Sequence, residues 1–168
     1  MSYQAEKLSA SHHGENFTCR KESLDNYIRK QVSQDIKKKL AASFVIADDN
    51  HVVQGYYTLS NASIPIDHAP EAIKKKIPRG YSTLPVTLLG RLAVHTSSQG
   101  RNLGATLLID ALKRCFELSK SIASNAVIVD PLDAEAEGFY QKYGFIKLST
   151  GKMFLPMKTV EALIGSDS

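Results

Sequence analysis

Apolar residues recur every fourth position at Leu24, Ile28, Val32, Ile36 and Leu40, which predicts an amphipathic helix with one buried stripe. Ser23 stands where a helix N-cap is expected, with Asp25 in the first turn. The basic residues of this segment lie mostly off the stripe and face solvent or a partner. The period then changes. Ser43-Phe44-Val45-Ile46-Ala47 is an apolar run, Asp48-Asp49-Asn50 a turn cluster, and His51 to Ser60 is rich in β-branched and aromatic residues, together an antiparallel hairpin. Pro65, Pro70, Pro78 and Pro85 interrupt regular structure over residues 64–85, which leaves a surface excursion with room for a short helix from Glu71 to Ile77. Val86 to Val94 is almost continuously apolar and reads as a buried strand, in which Gly90 marks a bulge or a close backbone approach. Beyond a loop at residues 97–104, Leu107, Leu108, Ala111, Leu112, Cys115 and Phe116 follow helical spacing. Ala126-Val127-Ile128-Val129 is a further buried strand; a helix from Asp133 to Tyr143, capped by Asp133 and stopped by Gly144, precedes a closing strand at Met153-Phe154-Leu155. This order implies an α/β sandwich around a mixed sheet.

The chain of 168 residues fits a single domain over 1–168. No apolar stretch approaches the roughly 18 residues of a membrane span, and the start, Met1 to Glu6, is polar and leads into no apolar segment, so the expected compartment is the cytoplasm. Cys19 and Cys115 lack histidines at zinc-site spacing; both are read as reduced thiols without a metal, with Cys115 in the core. The net charge of +4 becomes informative once it is located. Residues 20–39 hold seven basic against three acidic side chains and residues 71–91 five against one, so the two segments carry +8 and the remainder −4. Such a distribution suits a polyanion, although lysine runs are also common on the solvated faces of helices.

A strand, a glycine-containing loop and a helix form a natural anion site, because unpaired backbone N–H groups and the helix dipole converge there. The loop is Gln99-Gly100-Arg101-Asn102-Leu103-Gly104-Ala105. It has neither the Lys-Ser/Thr ending of a nucleoside-triphosphate loop nor the G-x-G-x-x-G dinucleotide fingerprint. From the residues alone it takes a phosphate-bearing ligand, or its glycines serve only a tight turn and close helix packing.

The run Leu89-Gly90-Arg91-Leu92-Ala93-Val94, the loop from Gln99 to Ala105 and the segment Ala136 to Phe145 resemble the GNAT acyltransferases. Their acetyl-CoA signature is Gln/Arg-x-x-Gly-x-Gly/Ala; Gln99 and Gly104 match, whereas Asn102 replaces the first signature glycine. Asparagine tolerates positive φ better than most residues, so the turn can survive the exchange. The resemblance implies a mixed central sheet with a splayed, bulged strand and flanking helices. It places acetyl-CoA against Leu92, Ala93 and Val94 and on Gln99, Gly100, Arg101, Asn102, Leu103, Gly104 and Ala105, with no metal. Phe17-Thr18-Cys19, Leu24-Asp25-Asn26-Tyr27-Ile28, Gly55-Tyr56-Tyr57-Thr58-Leu59 and Leu88 to Val94 are further similar to the GNAT toxins of type II toxin-antitoxin modules. That resemblance implies acetylation of the α-amino group of aminoacyl-tRNA, inhibition of translation, a homodimer, a ribbon-helix-helix antitoxin partner and operator DNA bound only through the antitoxin.

Tyr140 stands where the family's catalytic tyrosine lies, which makes it the general acid for the departing thiolate. Helical spacing pairs Phe139 with Tyr143 and turns Tyr140 away, so it is expected to be the exposed one; the competing reading is a packed aromatic. His95 is expected to be a surface residue without a catalytic duty. No carboxylate or histidine stands out as general base. An α-amine has a pKa of about 7.7–8.0, against about 10.4 for lysine, and an adjacent ester lowers it further, so the missing base favours α-amines. Lys37, Lys38, Lys39, Arg79 and Arg91 are the candidates for binding the tRNA acceptor stem, with Lys74, Lys75 and Lys76 as further ones. The alternatives are a GNAT enzyme acting on protein N-termini or small amines, and a repression partner acting with its antitoxin at DNA.

Overall fold

The computed structural model describes residues 4–165, so Met1 to Tyr3, where no leader is expected, lie outside the described residues. Among the described residues seven strands form a mixed sheet in the order β1-β2-β3-β4-β5-β7-β6: β1 (Glu6–Lys7), β2 (Ala42–Ala47), β3 (Val53–Pro65), β4 (Thr83–Val94), β5 (Ala126–Val129), β6 (Ile146–Lys147) and β7 (Met153–Pro156). The helices are α1 (Glu22–Asn26), α2 (Val32–Lys37), α3 (Glu71–Lys74), α4 (Leu103–Ser119), α5 (Ala134–Lys142) and α6 (Met157–Gly165). None of them is long and apolar enough to cross a membrane. The chain divides into two compact units, residues 1–60 with 89–111 and residues 61–88 with 112–168.

In the first unit the hairpin is as expected, β2 pairing antiparallel with β3 from Ala42↔Leu59 to Ala47↔Val53 with a register shift between Ile46 and Ala47. The predicted helix is instead three pieces: α1, a π-helical turn (Tyr27–Gln31) and α2. A strict four-residue repeat drifts by about 40° per step around an α-helix, and a wider π turn takes up that drift. Ile28 and Val32 therefore stay buried, while Leu40, beyond the end of α2, is 62% exposed and does not extend the stripe. Ser23 is not the cap. Lys21 occupies that position without a side-chain hydrogen bond. The buried Asp25 carboxylate folds back to accept the Cys19 N–H at 2.8 Å and the Thr18 hydroxyl at 3.2 Å, fixing the chain that enters the helix. Phe17, Tyr27, Ile28, Val32, Val45, Val53, Tyr56 and Ala93 pack into one core. Gly55 is dictated by packing, since a Cβ there would meet the Leu107 side chain at 2.7 Å and the Ala93 carbonyl at 3.3 Å. Tyr57 donates its hydroxyl to Asp110 at 2.6 Å, which ties β3 to α4.

In the second unit β5 pairs in parallel with β4 over Val86↔Ala126 to Leu88↔Ile128 and antiparallel with β7. The parallel register of β4 with β5 ends at Leu88↔Ile128. Ile64, Leu84, Val86, Ala126, Ile128, Leu148 and Phe154 form the core of this unit. The prolines end less structure than expected: β3 continues through Pro65, and β4 starts at Thr83 and includes Pro85, whose carbonyl accepts the Asn125 N–H. Asp133 caps α5 by accepting the Ala136 N–H at 2.9 Å, and Gly144, at φ +92°, ends the turn after it, both as expected.

Candidate active site

The end of β4 and the start of α4 are joined through a 3-10 turn (Thr96–Ser98) and a short loop. Alternation along the strand sends Arg91 and Ala93 to the face that packs under α1 and the π turn, and Leu92 and Val94, both half-buried, to the other. Gln99 donates its side-chain amide to the Val94 carbonyl at 3.0 Å, which draws the loop against the strand end. The expected cofactor residues Leu92, Ala93, Val94 and 99–105 thus form one continuous stretch of backbone.

Gly100 adopts φ +83° and Asn102 φ +60°. Asparagine therefore takes the left-handed conformation that the signature glycine would otherwise supply. The Asn102 carbonyl accepts both the Thr106 N–H at 3.0 Å and the Thr106 hydroxyl at 3.1 Å, so the α4 ladder starts there. The first-turn amides of Leu103, Gly104 and Ala105 accordingly have no carbonyl within the helix to bond, and they carry the positive end of its dipole. Leu103 is buried and anchors the turn, whereas Gly104 and Ala105 leave little side chain over those amides.

His95, expected from sequence to be a surface residue, is half-buried at the surface. Its Nδ1 accepts the Ser97 N–H at 3.1 Å, capping the 3-10 turn, and its ring meets Phe17 edge-on at 5.5 Å. The sequence reading missed a cleft of about 390 Å³ on the hairpin side of this loop, lined by Asp48, Asp49, Gln54, Ser97, Ser98 and Arg101 among others. Gln54 organises it by accepting the Ser98 hydroxyl at 2.6 Å and the Ser97 hydroxyl at 3.3 Å. Asp48-Asp49 signalled only a turn, because the other lining residues are remote in sequence.

Tyr140, in the second unit, is buried with 7% exposure, contrary to the expectation that it is the exposed aromatic of its helix. Phe139 and Tyr143 do pair, with ring centres 5.4 Å apart. After the left-handed turn at Gly144, however, Phe145 folds back to 5.2 Å from the Tyr140 ring and covers the side that helical spacing leaves open. Burial raises the pKa of Tyr140 well above the ordinary tyrosine value, so the hydroxyl keeps its proton. Among the described residues that hydroxyl has no hydrogen-bond partner.

Lys37, Lys38 and Lys39 are exposed at the end of α2. The Lys39 N–H bonds to the Ile36 carbonyl and the Leu40 N–H to the Asp35 carbonyl, a Schellman arrangement with Lys39 at φ +59° in the position glycine usually fills. Arg79 is exposed in the connection before β4. Arg91 is half-buried, its guanidinium carbon 3.6 Å from the centre of the Tyr27 ring. None of these five cations has a carboxylate partner among the described residues, whereas Lys74 pairs with Glu71 at 2.9 Å, Lys147 with Glu137 at 2.9 Å and Lys152 with Asp130 at 3.4 Å. No cluster of three metal-ligating side chains occurs among the described residues.

Residues 3–159 match the acetyltransferase (GNAT) domain family. A tRNA-acetylating toxin of Mycobacterium tuberculosis (strain ATCC 25618 / H37Rv) is 37% identical over 152 residues, 89% of each chain. Among solved structures, AtaT complexed with acetyl-methionyl-tRNAfMet superposes with a TM-score of 0.87 at 28% identity, covering 95% of this chain and 98% of that one. A mutant AtaT toxin bound to the C-terminus of the antitoxin AtaR and acetyl-CoA superposes with a TM-score of 0.81 at 25% identity, covering 97% and 98%. With the signature loop in place at the head of α4, the match along nearly the whole chain establishes that this protein belongs to the GNAT acetyltransferase family.

Proposed function

We propose that the protein is an acetyl-CoA-dependent N-acetyltransferase toxin that acetylates the α-amino group of aminoacyl-tRNA and so inhibits translation. The observation that carries this reading is the 37% identity, over 89% of both chains, to a tRNA-acetylating toxin. It is supported by five cations that no carboxylate of the described residues neutralises. The chain acts as one acetyltransferase domain over 1–168, in the cytoplasm, as a homodimer. Its activity is held in check by a ribbon-helix-helix antitoxin, through which alone it reaches operator DNA.

Acetyl-CoA supplies the activated acetyl group, and its pyrophosphate suits the amides of the loop from Gln99 to Ala105. A backbone N–H within Leu92, Ala93 and Val94 polarises the thioester carbonyl. The amine nitrogen forms the new bond to carbon, the carbon–sulfur bond breaks, and Tyr140 gives its proton to the departing sulfur. The proton that the nitrogen sheds as the amide forms restores the phenol. No protein base is required, because an α-amine has a large neutral fraction near pH 7.

Incubating the purified protein with labelled acetyl-CoA and total charged tRNA tests this directly. A mass gain of one acetyl on the aminoacyl moiety is expected; acetylation of peptides or small amines with tRNA untouched would assign the enzyme to the alternative substrates.

The loop makes its own prediction. Asn102→Gly is expected to keep or improve acetyl-CoA affinity, since glycine adopts the φ of +60° without cost, whereas Asn102→Val is expected to weaken it by about tenfold through strain of roughly 1–2 kcal/mol. Titration calorimetry of the two variants with acetyl-CoA is the check, and equal affinities would detach the turn from cofactor binding.

A further inference from the structure

Arg91 differs from the other unpaired cations in being half-buried and stacked. The ring beneath it is fixed from several sides. Tyr27 is 2% exposed, lies near-parallel to Tyr56 at 16° with centres 6.3 Å apart, and donates its hydroxyl to Asp35 Oδ2 at 2.9 Å. Tyr56 in turn donates to the Leu24 carbonyl at 2.7 Å. Tyr27 also opens the π turn, the point at which the helix departs from α geometry. Burial, and then the bond to Asp35, pushes the Tyr27 hydroxyl up to about 12, so it remains a donor at neutral pH.

At 3.6 Å from the ring centre, the guanidinium carbon is within cation–π contact, and the ring face offers none of its N–H groups a hydrogen-bonding oxygen. Asp35 is engaged by the tyrosine and not by the arginine. No hydrogen bond from the Arg91 side chain to any described residue exists, so a fork of five donors seated on the Tyr27 ring is left without acceptors. Half-buried donors without partners are costly, and a ligand that accepts two parallel hydrogen bonds relieves that cost.

We propose that Tyr27, braced by Asp35, is a positioning residue that aims the Arg91 fork at one phosphodiester of aminoacyl-tRNA. This rests on the reading of charged tRNA as the substrate. Lys37, Lys38, Lys39 and Arg79 then supply diffuse attraction, while Arg91 makes the one contact with defined geometry, and thereby sets where the acceptor end lies.

The test is steady-state acetylation of total charged tRNA, with kcat and the KM for tRNA and for acetyl-CoA measured separately. Arg91→Ala is expected to raise the KM for tRNA about tenfold, as loss of a charge-assisted bidentate contact implies, with kcat and the KM for acetyl-CoA unchanged. Arg91→Lys, which keeps the charge and loses the fork, is expected to recover little of that loss. Tyr27→Leu is expected to match Arg91→Ala in the wild-type background and to add nothing in the Arg91→Ala background. Tyr27→Phe, which retains the ring, is expected to restore most of the affinity. A wild-type KM in Arg91→Lys, or full additivity of Tyr27→Leu with Arg91→Ala, would overturn the proposal. Should Tyr27→Leu not fold, Arg91→Lys and Tyr27→Phe decide it. A wild-type protein that leaves charged tRNA unacetylated removes the substrate assignment itself, an outcome distinct from an active enzyme indifferent to Arg91.

Discussion

Tyr140→Phe is expected to lower kcat by about 10²–10⁴-fold, the usual range for a general acid, with unchanged acetyl-CoA affinity and unchanged or slightly higher thermal stability. The two halves of this expectation have separate causes. The ring packs against Phe139 and Phe145, and phenylalanine preserves all of that contact. The hydroxyl forms no hydrogen bond to a described residue, so deleting it breaks none. A tyrosine kept only for packing would tolerate the exchange in rate as well as in stability, and near-normal turnover would place the general acid elsewhere. The pH profile gives a second readout. Burial raises the Tyr140 pKa above the ordinary value of about 10, so the acid form persists through the alkaline range, while the substrate amine must lose its proton to react. The wild-type rate is therefore expected to rise with pH through about 7–8 and then to hold level up to about pH 10. A fall between those limits would mean that a group of lower pKa supplies the proton.

Reversing Lys37, Lys38, Lys39 and Arg79 to glutamate together is expected to reduce kcat/KM for charged tRNA by at least about 10²-fold and to flatten its salt dependence, since each phosphate contact adds close to one unit to the slope. Acetyl-CoA binding, followed by calorimetry, is expected to persist because none of the four substituted residues belongs to the loop from Gln99 to Ala105 proposed to bind it. The folded state should survive too: all four side chains are exposed, and none holds a carboxylate of the described residues that would be orphaned. Lys147 and Lys152, by contrast, are already paired at the surface with Glu137 and Asp130, and their reversal serves as the control. Equal losses from both sets would reduce the effect to net charge alone. Unchanged tRNA kinetics in the first set would remove these four cations from the substrate path. Lys39 gives one further reason to expect an effect. A lysine held at φ +59° costs more than the glycine that commonly fills this position, which is consistent with a side chain retained for its charge.

The fold was legible where local chemistry repeats. Alternating and continuous apolar runs located β2, β3, β5 and β7, and the cap and stop at Asp133 and Gly144 bounded α5, because each signal lies within a few residues of the structure it causes. The departures arose where a specific partner outweighed a local preference. Asp25, in the first turn of α1, turns its carboxylate back to the Cys19 N–H, and the α1 to α2 segment passes through a π turn that keeps its apolar residues on one core. Pro85 is accommodated inside β4, its carbonyl taken by Asn125, a residue forty positions away.

The sequence by itself determined the turn at the head of α4, because a glycine and a conformationally tolerant asparagine act within seven consecutive residues. It also determined the total positive charge and its two segments. Only the tertiary structure decided which of those cations remain unpaired, since neutralisation depends on carboxylates brought near in space. It alone placed the Arg91 guanidinium on the Tyr27 ring, sixty-four positions away, and folded Phe145 back over Tyr140 after the left-handed turn at Gly144, because stacking and desolvation depend on where the chain turns and not on helical spacing alone.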